Sequence, residues 1–170
     1  TEALFAFLEL LGRSIDSGTV ALPVNAPKAS VDVLEANGLD LRWSKTSAPA
    51  LMAEADSSDV VFAMNLEGGV ILPEFMPAFD AAAGLLKMLD LLTRSDATLA
   101  QVRAAAPTCH LVHETVVTPW DEKGLVMRSL VEQTQGRDVE LIDGVKVFHE
   151  QGWVLVLPDP EDPLTHIWAE

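Results

Sequence analysis

In the first part of the chain, short apolar runs alternate with longer segments of helical periodicity. The continuous runs at 19–24, 60–64 and 70–72 are typical of buried strands, and residues 39–43 alternate as a half-buried strand does. Helical periodicity predicts helices over 2–12, 27–36, 49–55, 79–93 and 95–106. Because strands that alternate with helices need crossover connections, we predict an α/β fold over residues 1–106, with a mixed, largely parallel sheet covered by helices.

Two of these helices carry more specific expectations. The helix predicted at 79–93 has an apolar stripe, which is formed by Leu85, Leu86, Leu89 and Leu92. The helix predicted at 95–106 is expected to be capped by Ser95 or Asp96, because both side chains accept hydrogen bonds from backbone amides at a helix start.

After Pro107 the pattern changes. A strand is predicted at 110–117, a helix at 119–134, and four short strands at 138–142, 145–149, 153–157 and 164–169. One main helix on a small, mostly antiparallel sheet is an α+β arrangement. The sequence therefore predicts two domains, 1–106 and 107–170.

Composition and charge narrow the choice of partners. The 170 residues carry a net charge of −15, which disfavours nucleic acid and anionic membrane surfaces. The single cysteine, Cys109, excludes internal disulfides and cysteine-rich zinc sites, and it favours a reducing, cytoplasmic setting. No apolar run approaches the ~20 residues of a membrane span. Because the chain begins with Thr1, we expect it to be a piece of a longer protein.

The last thirty residues contain a dense set of recognisable positions. The segment 143–146 reads Asp-Gly-Val-Lys, and the segment 152–163 reads Gly-Trp-Val-Leu-Val-Leu-Pro-Asp-Pro-Glu-Asp-Pro. This frame resembles the C-terminal domain of the α-D-phosphohexomutases, where it reads D-G-(V/I)-K and G-W-V-L-V-R-P-S-G-T-E-P. The resemblance implies that residues 1–106 correspond to the third domain of that family and residues 107–170 to the fourth.

Two earlier segments extend the resemblance to the sugar-binding loops of the family. Lys45-Thr46 stands where the family has K-T-G-H, and residues 63–72 stand where it has G-E-M-S-G-H. There only Gly68 matches by position, while Asn65 replaces the glutamate and Glu67 replaces the serine. The resemblance implies a substrate-binding site formed by Lys45, Asn65, Glu67, Gly68 and Gly69. From the residues themselves, the alternative is that Glu67-Gly68-Gly69 is only a tight turn without a ligand.

The family's phosphate loop is present as a frame but has lost its chemistry. The family places an arginine, a serine and a threonine around the sugar phosphate. A phosphate dianion needs a positive charge and hydrogen-bond donors on short side chains or the backbone. This chain has no such set in its degenerate phosphate loop, which consists of Leu157, Pro158, Asp159, Pro160, Glu161 and Asp162. We therefore expect the loop to bind no phosphate in the family manner and to form a plain solvated turn.

The resemblance implies sugar-phosphate chemistry in a longer parent. Active members interconvert hexose 1-phosphates and 6-phosphates with a phosphoserine and Mg²⁺. The loop that carries the phosphoserine and the acidic loop that binds Mg²⁺ both have no counterpart in this sequence. The chain is therefore expected to hold no catalytic residue and no metal site. The alternative is a degenerate module for hexose-phosphate sensing or subunit assembly, attached to a sugar nucleotidylyltransferase. The expected partners are a hexose phosphate, upstream domains of the same polypeptide and a second copy of the chain.

Overall fold

The structure is a computed structural model that describes all of residues 1–170. Its helices are α1 (Glu2–Gly12), α2 (Ala29–Ala36), α3 (Ala48–Ala55), α4 (Ala81–Arg94), α5 (Leu99–Ala105) and α6 (Trp120–Gln133). Its strands are β1 (Thr19–Pro23), β2 (Asp40–Ser44), β3 (Val60–Met64), β4 (Val70–Leu72), β5 (Met76–Phe79), β6 (Val112–Val117), β7 (Val139–Glu140), β8 (Val145–His149), β9 (Gly152–Pro158) and β10 (Leu164–Ala169). The chain divides into two compact units, Thr1–Thr108 and Cys109–Glu170.

The first unit is built around a five-stranded sheet with the order β2-β1-β3-β4-β5. β1 pairs in parallel with β2 and β3, whereas the pairs β3–β4 and β4–β5 are antiparallel. The second unit has a five-stranded antiparallel sheet with the order β6-β10-β9-β8-β7 and one main helix, α6. The predicted fold class, an α/β part followed by a smaller α+β part, is confirmed.

The core of the first unit lies between α1 and the central strands. α1 is apolar on nearly every face because α2, α4 and α5 all pack against it. Its Phe7 ring lies 5.2 Å from the Phe62 ring of β3, so the helix packs on the sheet through aromatic contacts. β1 is buried along its whole length, as the continuous apolar run predicted.

The boundary between β5 and α4 differs from the sequence prediction. Residue 79, the predicted start of the helix, ends a strand, and α4 begins at Ala81. Asp80 separates the two elements: its backbone is extended and its carboxylate accepts a hydrogen bond from the Ala83 amide at 2.9 Å. β5 is an edge strand, a position where Pro77 costs no ladder hydrogen bond.

The cap predicted for the next helix is wrong. α5 is capped by Thr98, whose side chain accepts from the Gln101 amide while the Gln101 side chain accepts from the Thr98 amide. Ser95 is the C-cap of α4, and Asp96 has a positive φ of 48°. The reciprocal pair satisfies two amides at once, which a single Ser95 or Asp96 cap would not do.

The second unit buries a lysine in the core of its sheet. Lys146 is only 3% exposed, and its Nζ lies 4.3 Å from the centre of the Trp153 ring. Burial lowers the pKa of this ammonium group from 10.5 to about 8, against the opposing charges of Glu140 and Glu170.

We expect the unfolding free energy of this unit to rise between pH 8 and 10.5 by up to about 3 kcal/mol. In that range the unfolded chain still binds a proton on Lys146 that the folded chain has lost, so stability increases with pH. Urea unfolding across this range measures the effect, and the chain has no tyrosine to titrate beside it. Lys146→Met should remove the rise; an identical pH profile in that variant would contradict the assignment.

Candidate functional site

The loops that follow the parallel strands of the first unit lie at one edge of its sheet. Lys45 follows β2 directly, and Asn65 follows β3 directly. Because β1 lies between these two strands, the two loops are separated by two strand spacings, about 10 Å. The carboxyl edge of a parallel sheet is where α/β proteins bind ligands. The structure thus places the predicted sugar-binding residues at a single edge.

The turn Asn65–Gly69 connects β3 and β4 and is closed by its own hydrogen bonds. The Asn65 side-chain Oδ1 accepts from the Gly69 amide at 2.6 Å, and the Asn65 amide donates to the Gly69 carbonyl at 3.0 Å. Glu67 and Gly68 are exposed at the tip. The Asn65 carboxamide is therefore partly used to hold the turn, and only its Nδ2 group and the tip residues are left to contact a ligand.

The two glycines of this turn have different roles. Gly68 has a φ of +95°, and a Cβ at this position would meet no atom within 4 Å. A Cβ at Gly69 would lie 2.8 Å from two carbons of the Phe79 ring. Gly69 is therefore required for packing, whereas Gly68 is required by the backbone conformation and leaves open space beside the turn.

Lys45 is an exposed cation directly after β2, at the carboxyl edge of the sheet. Its side chain takes part in none of the ion pairs of the structure. Five other cations of the first unit are ion-paired with carboxylates, namely Arg13, Arg42, Lys87, Arg94 and Arg103. In a chain with a net charge of −15, an exposed lysine without an acidic partner is a favourable local position for a phosphate group.

Asn25 was missed by the sequence prediction. It follows β1, between the loops that carry Lys45 and Asn65, and it is only 4% exposed. Its side-chain Oδ1 has no hydrogen-bond partner in the structure, which is rare for a buried amide oxygen and calls for a ligand or ordered water. The signal was present in the sequence, because a polar residue directly after a buried strand often faces a ligand.

The degenerate phosphate loop is exposed at residues 160–162, as a solvated turn is, but it is also held by hydrogen bonds of its own. The Asp159 carboxylate accepts hydrogen bonds from the amides of Glu161 and Asp162, both at 2.7 Å, and from His166 Nε2 at 2.8 Å. The Lys123 ammonium group donates to the carbonyl oxygens of Asp159 and Asp162. The loop is therefore ordered by a carboxylate of its own, which occupies the amides that an external anion would need.

Electrostatics keep this internal carboxylate charged. The hydrogen bond from His166 and the amides of Asp162 and Glu161 lower the pKa of Asp159 to about 2. His166 in turn pairs with His113, since His113 Nε2 and His166 Nδ1 are 2.9 Å apart. The His113 ring stacks on Trp168 with ring centres 3.8 Å apart. The loop thus remains anionic at neutral pH and would repel a phosphate.

No group of three histidine, cysteine, aspartate or glutamate side chains in the chain converges in a way that would hold a metal ion. The residues of this chain therefore form no site that fits the Mg²⁺ that the resemblance implies for an intact parent. None of the helices combines the length and the hydropathy that crossing a membrane requires.

Comparisons with known proteins agree with the resemblance. No protein-family model matches the chain. A probable phosphoglucosamine mutase from Methanopyrus kandleri is 29% identical over 155 residues, which cover 90% of this chain and 34% of the relative. A phosphoglucomutase/phosphomannomutase family protein from Burkholderia thailandensis has a TM-score of 0.80 at 18% identity, covering 99% of this chain and 36% of that one.

A third similar protein has been solved with ligands. It is the N-acetylphosphoglucosamine mutase of Aspergillus fumigatus in complex with GlcNAc-6P and magnesium, with a TM-score of 0.66 at 11% identity, covering 99% of this chain and 42% of that one. The relatives and structural neighbours are phosphohexomutases, so the predicted resemblance is confirmed. The chain spans about a third of the length of the curated relatives it matches.

Proposed function

We propose that this chain is the sugar-selecting C-terminal part of a phosphohexomutase-like protein. In the intact parent, a phosphoserine and Mg²⁺ outside this chain would move the phosphoryl group between O1 and O6 of a hexose. The chain itself would bind the hexose phosphate and perform no chemistry. The single observation that carries the proposal is the convergence of the Lys45 loop and the Asn65–Gly69 turn at one edge of a sheet whose fold is that of the phosphohexomutases.

Each residue of the proposed site has a distinct role. The Lys45 ammonium group would pair with the phosphate, since it has no acidic partner within the chain. The Glu67 carboxylate and the Asn65 Nδ2 group would bind sugar hydroxyls, or an amino group where the substrate has one. Gly68 and Gly69 would let the backbone approach the sugar closely, and the buried Asn25 would supply an acceptor from the neighbouring loop.

An amino sugar is the substrate class that the comparisons favour. Several relatives are phosphoglucosamine mutases, and the Aspergillus fumigatus protein binds GlcNAc-6P. An exposed carboxylate at Glu67 would pair with the ammonium group of glucosamine 6-phosphate, which the uncharged glucose 6-phosphate hydroxyl cannot match. We therefore propose glucosamine 6-phosphate as the first ligand to test.

Glu67→Ala should weaken glucosamine 6-phosphate binding by about 10-fold or more, because a charge-assisted hydrogen bond contributes roughly 1.5–3 kcal/mol. Lys45→Met should weaken the binding of every hexose phosphate to a similar degree, whatever the sugar. Isothermal titration of the purified chain measures both. Glu35→Ala removes another exposed acid of the same unit, one without an ion pair, and should leave binding unchanged, and melting temperatures should stay equal throughout.

The second candidate function is a degenerate module for hexose-phosphate sensing or subunit assembly, attached to a sugar nucleotidylyltransferase. The observation that favours it is the loop around Asp159, which carries its own anion in place of a phosphate. The parent sequence separates the two candidates: an intact phosphoserine loop and an acidic metal loop support the mutase. If the wild-type chain binds no hexose phosphate at millimolar concentration, both the sugar-selecting role and the sensing role are contradicted.

A further inference from the structure

The outward face of α4 is apolar, which is unusual for a helix at the surface of a protein. Leu85, Leu86 and Leu89 are 63%, 67% and 53% exposed, whereas Gly84 and Leu91 face the core. We call the three exposed leucines the outer leucine face. A helix that covers a core normally has polar residues on its opposite side, so this face lacks the polar surface that water-exposed helices show.

The surroundings of the outer leucine face have the layout of a docking surface. Phe75 is 72% exposed and lines an open groove of about 540 Å³ together with Leu86. The groove is bordered by ion pairs, Lys87 with Glu74 and Arg94 with Asp90. An apolar centre within a charged rim is typical of interfaces between protein surfaces. The spacing of the leucines, three and four residues apart, forms a ridge that fits between the side chains of another helix.

The size and charge of the surface argue against a second copy of the chain as the occupant. Three leucines and a phenylalanine form a patch of at most a few hundred Å², well below the about 800 Å² per partner that stable complexes bury. Two chains with a net charge of −15 each also repel one another. A contact between domains of one polypeptide needs less area, because the covalent link supplies a high effective concentration.

We propose that the outer leucine face packs against an apolar helix of another domain in the same polypeptide. The curated relatives, of which this chain spans about a third, are long enough to contain such a domain. The proposal rests on the proposed function only in assuming a longer parent. It assigns to α4 a role in domain assembly that is independent of sugar binding at the carboxyl edge of the sheet.

The test compares the 170-residue chain with the intact native polypeptide by hydroxyl-radical footprinting. Leu85, Leu86 and Leu89 should be oxidised readily in the chain alone and be protected at least several-fold in the intact polypeptide. Leu85→Lys/Leu89→Lys should lower the melting temperature of the intact polypeptide but not that of the chain alone. Leu99→Lys, at a leucine 57% exposed on α5, is the matched control and should change neither.

Three results would overturn the proposal. The first is a native polypeptide no longer than the 170 residues described. The second is a longer polypeptide whose α4 leucines are as reactive as in the chain alone. The third is concentration-dependent dimerisation of the chain in sedimentation that Leu85→Lys/Leu89→Lys abolishes, which would identify a second copy as the occupant. Since footprinting needs no ligand, a failure to bind sugar phosphate would contradict the proposed function and leave these results unaffected.

Discussion

Gly144→Ala should unfold the sheet of the second unit, with a loss of at least about 4 kcal/mol in unfolding free energy. Gly144 has a φ of +68°, which costs an alanine about 1–2 kcal/mol. The added Cβ would also lie 2.2 Å from the Val156 carbonyl oxygen and 3.1 Å from the Leu157 Cα. Both contacts are with backbone, so β9 must move away from β8 to relieve them, and this breaks the ladder that pairs Val145 with Val156.

Gly136→Ala is the matched control for this substitution. Gly136 also has a positive φ, +80°, but a Cβ there would meet nothing within 4 Å. It should cost only about 1 kcal/mol, the backbone penalty alone. Urea unfolding and hydrogen exchange of β8 and β9 measure both variants. Equal losses would show that the approach of β9 is not what requires glycine at position 144.

Restoring the chemistry of the degenerate phosphate loop should create a phosphate site where the wild-type chain has none. The combined variant is Leu157→Arg, Asp159→Ser, Pro160→Gly and Glu161→Thr. Removal of the Asp159 carboxylate releases the amides of residues 161 and 162, and the new arginine supplies a charge-assisted, bidentate partner. Phosphorus NMR titration with inorganic phosphate should show saturable binding, with an affinity that falls as salt is added.

Asp159→Ser alone separates the two contributions to this gain. It frees the amides without adding a cation, so any phosphate binding should be much weaker than in the combined variant. Loss of three hydrogen bonds to the carboxylate should also lower the melting temperature of the second unit. A combined variant that folds normally yet binds no phosphate would show that the loop has lost the family's geometry as well as its side chains.

The elements that the sequence predicted well are those whose pattern is set by burial. The bounds of β3, β4, β8 and β10 agree with the apolar runs and alternations, because each strand has at least one face covered by the core. β5 was missed because it is an edge strand with two exposed residues, one of them a proline, so burial leaves no periodic signal in it. The apolar stripe on α4 was visible in the sequence, but periodicity cannot tell whether a partner within the chain covers it.

The candidate site was predictable in part. Resemblance identified the loops after β2 and β3, and the topology brings them to one edge. It did not identify Asn25, because that residue belongs to none of the matching segments. The role of Asp159 was also hidden: three acids in one loop indicate a solvated surface, and only the fold brings the His166 and Lys123 side chains to that loop. Contacts between residues far apart in sequence leave no local pattern.

The closure of the Asn65–Gly69 turn by its own two ends has a consequence for engineering. Because Asn65 and Gly69 fix the base of the connection and Gly68 keeps its positive φ, residues 66 and 67 can be exchanged without disturbing β3 or β4. A connection that contains a crossover helix would not allow such an exchange, since the helix residues pack against the sheet. The turn is therefore a natural position for a small combinatorial library, in which two randomised residues, 66 and 67, would be selected for a new sugar while Gly68 and the rest of the protein serve as an unchanged scaffold.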